Sequence, residues 1–456
     1  MITYQDLKKV TNKEDIIDFV KVAIGKHKAS KEYNEAKVAD MYNRKRNKTI
    51  EEYQKLLYTI TGEAVPDNIS ASYKLKSNFF NYFVTQEVSY LLGNGATWEE
   101  DATGEKLGED FDSVLSDLGE NALVHGVSFG FWNYDHLEAF SFLEFVPLWD
   151  EEDGSLKAGI RFWQIDKNKP LRATLYTLDG YSDFIWREGE DGEMTNENKP
   201  YKELVKKTGI EGEKIYDGEN YPTFPIVPLW ADKYKQSRFV GLREQIDAID
   251  LIKSGFANDV DDASQIYWIL QNAGGMDDVD LKEFIERVRK VGAVNLDDGV
   301  KAESHQLNVP YESREVLLTR LRNDLFENAM ALDVKNIANG AITATQIRAS
   351  YEPLSEKADK FEFCVLDFIS NILKLANIED KATFTRSTIV NKAEEVQMVL
   401  QAAQFLMPDY CTEKILTILG DGDKADEMIK QMTELSLAML GADNGQSTQT
   451  NGQDNI

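Results

Sequence analysis

Cysteine is nearly missing from this chain: it has two in 456 residues, Cys364 and Cys411. That is no disulfide framework, so the thiols read as small apolar side chains. Cys364, between Phe363 and Val365 in a predicted helix, is expected to be buried. No run approaches the ~18 apolar residues of a membrane span, and Met1-Ile-Thr-Tyr-Gln-Asp6 lacks a signal-peptide core. The expectation is a protein made and kept in a cytoplasm. Motifs of catalysis are also missing: no Gly-x-x-x-x-Gly-Lys-Ser/Thr, no His-Glu-x-x-His, no cysteine pair at zinc spacing. His27, His125, His136 and His305 are scattered and read as structural. The acidic groups Asp259/Asp261/Asp262 and Asp421/Asp423 read as solvated charge. The second departs from a calcium loop at Ala425, where an oxygen ligand is needed. No catalytic residue, metal or cofactor is expected.

Basic charge is also short. Lys and Arg number 51 against 79 Asp and Glu, for a net charge of −28. Proteins that grip nucleic acid neutralise phosphates with clustered cations, so tight binding of DNA or RNA over a broad surface is excluded. A surface that must not stick to a polyanion is compatible with this balance, as is simple solubility.

What is present is a globular composition, 42% hydrophobic and 11% aromatic, in a chain long enough for two or more cores. Residues 14–42 read as one helix capped by Thr11 or Asn12, with Ile16, Ile17, Val20 and Ile24 on one face. The basic run Arg44–Lys48 reads as a solvated turn. An aromatic-rich helix is predicted from Ser72 to Leu92, stopped by Gly93-Asn94-Gly95, and another near 111–125. Strands follow at Val127–Trp132, Phe140–Val146 and Ala158–Trp163, then on to Pro228-Leu-Trp230. Turns are expected at Asp153-Gly154, Asp179-Gly180 and Asp217-Gly218. This half reads as α+β with antiparallel sheet.

From Ser237 the period is helical again. Leu242, Ile246, Ile249, Phe256 and Val260 form a stripe, with Asp247, Asp250, Asp259, Asp261 and Asp262 on other faces. Ile266–Leu270 reads as a strand. A small module follows: a short helix with Leu281, Phe284, Ile285 and Val288, then a hairpin of Val291–Leu296 with Val300–His305 closed at Asp298-Gly299. Helix resumes over Glu312–Lys335 with Leu318, Leu321, Leu325 and Leu332 inward.

Asn336–Thr345 then carries no charged side chain. It feeds a helix on which Leu354, Ala358, Phe361, Val365, Phe368, Ile372 and Leu375 recur at steps of four and three. That spacing predicts roughly 33 residues and about 50 Å of helix with one apolar stripe. Pro353 is expected to kink it near 349–353. Shorter helices are expected over 392–440 around Met407-Pro408, and the Gln/Asn/Ser/Thr/Gly-rich tail 441–456 reads as disordered.

The stretch Ile246-Asp-Ala-Ile-Asp-Leu-Ile-Lys-Ser-Gly-Phe-Ala-Asn-Asp259 resembles the stem helix of tailed-bacteriophage portal proteins of the SPP-type siphovirus group. Ile246, Asp247, Ala248, Ser254, Asn258 and Asp259 occupy the pattern's positions. Asn78-Phe79 through Tyr90-Leu-Leu-Gly93 is similar to a second helix of that family. His125-Gly-Val-Ser-Phe-Gly-Phe131, leading through Asp135 to Phe145-Val-Pro147, is similar to its small-domain strands. Ile226-Val-Pro228 matches its entry segment. The chain departs from the pattern at Ala231-Asp232 and Asn339-Gly-Ala341. The resemblance spans roughly residues 15–435.

The resemblance implies an α+β, mainly helical portal fold that assembles as a ring of subunits, usually twelve, at one capsid vertex. Residues 1–236 and the long helix 346–385 would be the wing, 237–265 and 311–335 the stem helices, and 266–310 the clip. Residues 336–345 would be the tunnel loop, 386–440 the crown and 441–456 the tail. Asn336, Asn339, Gly340, Ala341, Thr343 and Thr345 would face DNA in the channel, and Tyr267, Trp268 and Phe284 belong to the clip, as interface or core. Implied partners are the terminase subunits, a head–tail adaptor, the major capsid and scaffolding proteins, and double-stranded DNA passing without tight binding. No membrane is involved: assembly is in the host cytoplasm and the final place is the virion. The alternatives are a virion adaptor or scaffold without a channel and, further off, a soluble α+β enzyme.

Overall fold

A computed structural model describes residues 2–58, 62–67, 72–100, 102–208, 214–263, 267–271, 282, 286, 301–305, 311–335, 344–387, 392–425 and 427–433. The chain is mainly helical α+β. It divides into two units: Met1–Leu332 with Pro353–Arg386, and Asp333–Glu352 with Ser387–Ile456.

In the first unit, helices α1 (Tyr4–Lys8), α2 (Lys13–Ala29) and α3 (Lys31–Asn43) open the chain. The single helix expected over 14–42 is thus two. Ser30 sits in extended backbone and its hydroxyl accepts the Tyr33 amide at 3.1 Å, capping α3 as α2 ends. The break lets α2 cover one sheet while α3 packs on a helix of the central core. After α4 (Lys48–Glu52), α5 runs Phe79–Leu92, shorter than the expected Ser72–Leu92. Residues 73–77 are extended because their amides are captured elsewhere, as described below. Two more helices, α6 (Ala102–Leu107) and α7 (Phe111–His125), lead into the sheets.

A three-stranded antiparallel sheet has the order Ile226–Trp230, Val127–Asn133, His136–Ser141. A five-stranded antiparallel sheet runs from Glu193–Lys199 through Gly180–Trp186, Leu171–Thr177 and Leu156–Trp163 to Phe145–Trp149. The strand expected over Phe140–Val146 is therefore split between two sheets. The Ser141 hydroxyl accepts the Leu143 amide at 3.2 Å, a local turn that carries the chain across. Asp217-Gly218 is not a turn either. Lys202–Thr208 pairs with Lys214–Glu219 in the register Leu204↔Asp217, so these residues lie inside the ladder. The turns at Gly154 and Gly180 are present, both glycines with positive φ.

Two glycines of the His125–Phe131 motif have distinct physical reasons. Gly126 ends α7 in the left-handed region at φ 90°, and its amide bonds Ala122 O. Gly130 touches the long helix: a Cβ there would lie 2.4 Å from Phe368 Cζ.

Helix α8 spans Arg243–Ala263, starting later than Ser237, and α9 spans Tyr311–Asn328. The helix expected to reach Lys335 ends early because Met330 takes φ 50° and the Ala331 amide reaches back to Phe326 O at 3.1 Å. Leu325 and Leu332 are still buried. Between these helices Tyr267–Gln271 pairs antiparallel with Lys301–His305, while Val291–Leu296 lies outside the described residues. The long helix α10 spans Ala344–Ala376, 33 residues, with Pro353 inside it.

All seven predicted stripe residues of α10, from Leu354 to Leu375, are buried. Five of them, Phe361, Val365, Phe368, Ile372 and Leu375, join a helical core with α3, α5, α7, α8 and α9. A second core lies between α2 and the five-stranded sheet. A third, rich in aromatics (Phe129, Phe131, Phe140, Phe145, Tyr176), is drawn from both sheets. Ala382–Phe384 adds a two-stranded pairing with Ala96–Trp98 that the sequence pattern did not announce.

In the second unit, α11 (Lys392–Ala402) and α12 (Pro408–Leu419) pack together, with Pro408 at the first helical turn and Cys411 buried. Gly420 closes α12 at φ 97°.

Candidate functional site

Residues of the Ile246–Asp259 motif make their contacts within the subunit. Ile246 is buried in the helical core and Ala248 is half-buried. On one face of α8, Asp250, Ser254 and Asn258 stand four residues apart. Asp250 accepts the Ser77 amide at 3.0 and 3.1 Å, Ser254 Oγ the Leu75 amide at 2.9 Å, and Asn258 Oδ1 the Tyr73 amide at 2.6 Å. Alternate amides of an extended segment thus dock on every fourth side chain of a helix running the other way. Four helical residues rise about 6.0 Å and two extended residues about 6.6 Å, so the two periods nearly coincide. This ladder holds 73–77 out of α5.

Asp250, expected on a polar face, is fully buried and also accepts from Asn47 Nδ2 at 2.9 Å. One turn earlier, Asp247 accepts from the Tyr42 hydroxyl and from Thr49 Oγ1 at 2.7 Å, with Arg243 3.7 Å away. Burial, with the Asp247 carboxylate beside it, pushes the Tyr42 hydroxyl up to about 12. Farther along, Asp259 pairs with Arg314 of α9, and the Phe256 ring meets Tyr311 at 5.5 Å. The stripe continues less deeply than expected: Val260 is 43% exposed.

A buried charge cluster anchors the other end of the stem. Glu87 of α5 has no exposed surface and pairs with Arg238 at 3.0 Å and Lys357 of α10 at 2.7 Å. Arg238 also pairs with Asp232 at 2.9 Å and donates to Ala231 O at 3.2 Å, while Lys357 donates to Ala329 O just past α9. Four segments meet on one carboxylate and its two cations. Sequence reasoning passed over these residues, although a signal existed: Glu87 is a charge midway between Phe83 and Leu91 on the apolar face of α5. Above the cluster opens a pocket of about 540 Å³ lined by Tyr234, Val240, Lys360, Phe363 and Cys364 among others. Cys364 is half-buried here, not in the core, because α10's stripe passes through its neighbours Phe361 and Val365. Partial burial pushes its thiol up.

The channel-loop candidates Asn336, Asn339, Gly340, Ala341 and Thr343, and Phe284 of the clip, lie outside the described residues; Thr345 is in the first turn of α10. Tyr267 and Trp268 lie in the pairing of Tyr267–Gln271 with Lys301–His305, opposite His305 and Ser304. Among the described residues no cluster of His, Cys, Asp and Glu is arranged to hold a metal ion, and no helix is long and apolar enough to cross a membrane.

The order of stem helix, small strand pair, second helix and long helix is accompanied by a sequence match over residues 24–435 to the family described as phage portal protein, SPP1 Gp6-like. The chain belongs to that phage portal family. It is 23% identical over 392 residues to the portal protein of Bacillus phage SPP1, covering 77% of this chain and 74% of that one. It is 25% identical over 213 residues to the portal protein of Clostridium phage phiCD119, covering 43% and 46%. Among solved structures, a chain in the neck of an empty GTA particle overlaps 75% of this chain and 90% of its own, at 11% identity and TM-score 0.45. A chain in the virion of a native gene transfer agent overlaps 74% and 89%, at 12% identity and TM-score 0.43. Family membership makes this a portal protein, a structural component of a phage virion.

Proposed function

We propose that copies of this chain close into a ring at one capsid vertex, through which DNA enters during packaging and leaves at ejection. The charge balance of −28 carries this reading within the portal family. A conduit must release every phosphate it touches, and each Lys or Arg contact to phosphate adds to the affinity it has to break. An acidic wall repels its cargo, and the uncharged segment 336–345 touches DNA without an ion pair. Gly340, beside the small residues Ala338 and Ala341, suits a segment that has to change shape, since glycine tolerates backbone angles that other residues avoid. In this reading 237–265 and 311–335 form the stem and 266–310 the clip. Residues 1–236 with 346–385 form the wing, and 386–440 the crown. The clip meets the terminase during filling and a head–tail adaptor afterwards. The capsid and scaffolding proteins surround the wing, and assembly takes place in the host cytoplasm without enzymatic turnover by this subunit.

Negative-stain images of the purified protein test the ring directly: end-on views with a central hole are expected, and their absence at assembly concentrations sinks the proposal. Packaging assays test the loop. Asn339→Lys or Thr343→Lys should slow DNA filling while rings still form, and normal filling by both variants removes 336–345 from the channel wall.

A further inference from the structure

The pocket above Glu87 combines two features. The first is apolar exposure around a concavity. Phe363 is 74% exposed, Tyr234 69% and Val240 64%, and all three line the same pocket of about 540 Å³. Single exposed hydrophobics are ordinary on a surface, but three gathered on one concave site mark a place that something covers. The second is the sign of its charge. Glu87 and Asp232 neutralise Arg238 and Lys357 in the floor, which leaves Lys233 and Lys360 in the lining as surplus cations. A local positive excess is out of character in a chain of net charge −28. The floor is also held in place beforehand: Arg238 is fixed by Glu87 and Asp232, and Lys357 by Glu87 and the Ala329 carbonyl, so little ordering remains to be done when a partner arrives.

We propose that this groove, between the 232–242 segment and the Lys357–Cys364 part of α10, seats a second copy of this chain through an apolar side chain flanked by carboxylates. Complementary charge selects the occupant. The commonest acidic surface available to a protein that assembles with itself is its own. Ring closure also requires a head-to-tail contact, in which a concave patch on one copy meets a different, convex patch on the next. The Lys233 and Lys360 ammonium groups sit at the edge, where they steer and register the approach. Phe363 and Val240 supply the desolvated centre. This inference rests on the ring reading above and specifies which face of the subunit makes the ring.

The full chain carrying Cys411→Ser, so that Cys364 is the single thiol, provides the test. It is compared with Phe363→Asp and Lys360→Glu in the same background, with circular dichroism checking that each variant keeps its helices. Light scattering and negative stain then read assembly as a function of protomer concentration. Rings are expected in the parent. In each variant the concentration needed for assembly should rise about tenfold or more, which is about 1.4 kcal/mol per tenfold step. Alkylation of Cys364 by a maleimide should be markedly slower in rings than in the unassembled, folded variants. Rings from both variants at the parent's concentration, or Cys364 equally reactive in rings and free subunits, overturn the groove as the seat. A parent that never forms closed rings overturns the ring reading itself, so the two failures are distinct.

Discussion

Replacing Glu87 by alanine puts the buried cluster to its hardest test. Glu87 is wholly buried, and the side chains it pairs with are only 16% (Arg238) and 11% (Lys357) exposed. The two cations are not equally stranded by its loss. Arg238 keeps Asp232 at 2.9 Å and Ala231 O at 3.2 Å, whereas Lys357 keeps only the Ala329 carbonyl at 3.1 Å. The cost is therefore mainly an unpaired buried ammonium, about 3–5 kcal/mol by analogy with other broken buried pairs. The double variant Glu87→Met with Lys357→Met removes both charges and refills the volume. Its loss should stay within about 1.5 kcal/mol of the parent, since buried pairs replaced by apolar groups are often near neutral. Urea denaturation followed by tryptophan fluorescence, at fixed protomer concentration, measures both. A single variant costing under about 1 kcal/mol, or a double variant as unstable as the single, would refute the argument that desolvated charge dominates here.

Three further outcomes are expected. Ser254→Ala leaves the Leu75 amide without its acceptor and should cost about 1–2 kcal/mol, with hydrogen exchange at Leu75 quickened and exchange in the Val127–Asn133 strand unchanged. Gly130→Ala drives a methyl into Phe368 and should cost about 1–3 kcal/mol in denaturant titrations, with partial recovery when Phe368→Leu is added. Burial lowers the His27 pKa below its ordinary 6.5, so the unfolded chain takes up this proton first. Stability from His27 is thus present above pH 6.5 and is lost as pH falls below it. His27→Gln should therefore show a shallower fall in melting temperature between pH 7 and pH 5.

Much of the fold was legible because helical periodicity and burial are the same fact seen twice. The α10 stripe was read correctly to the residue, since one face of a long helix must be apolar whatever packs on it. The failures share a cause. Asp250 was placed off the apolar stripe without its burial being foreseen, because a sequence shows that a residue is charged but not that a distant amide needs an acceptor. Residues 72–78 were assigned to α5 because their composition suits a helix, and the competitor for their amides lies more than 170 positions away. Ser30 and Ser141 are local capping and turn devices of a kind that sequence does reveal, yet Ser30 was lost inside a charged stretch read as continuous helix and Ser141 inside an apolar run. Glu87 left a signal, one charge on an apolar face, but its partners Arg238 and Lys357 come from separate segments and share no pattern.

The ladder on α8 also explains where the stem can be held and where it cannot. Each step pairs a helical rise of about 6.0 Å with an extended rise of about 6.6 Å, so the mismatch grows by about 0.6 Å per rung. Across the three rungs at Asp250, Ser254 and Asn258 it reaches about 1.2 Å, which small adjustments of side-chain torsions absorb. At the other end the ladder stops for a chemical reason. Ile246, one step before Asp250, has no acceptor to offer, and the chain beyond Ser77 turns into α5 at Phe79. Asp247 then carries the contact sideways, to Tyr42 and Thr49. Helix α8 is thereby tied to α3, α4 and the extended segment over its first four turns. Its later turns depend on α9, through the Asp259–Arg314 pair and the Phe256–Tyr311 contact. A load applied along α8 would be taken up first at the α8–α9 contact, because a half-exposed ion pair with the Phe256–Tyr311 and Phe256–Arg314 ring contacts resists less than a ladder of hydrogen bonds to the buried side chains Asp250, Ser254 and Asn258.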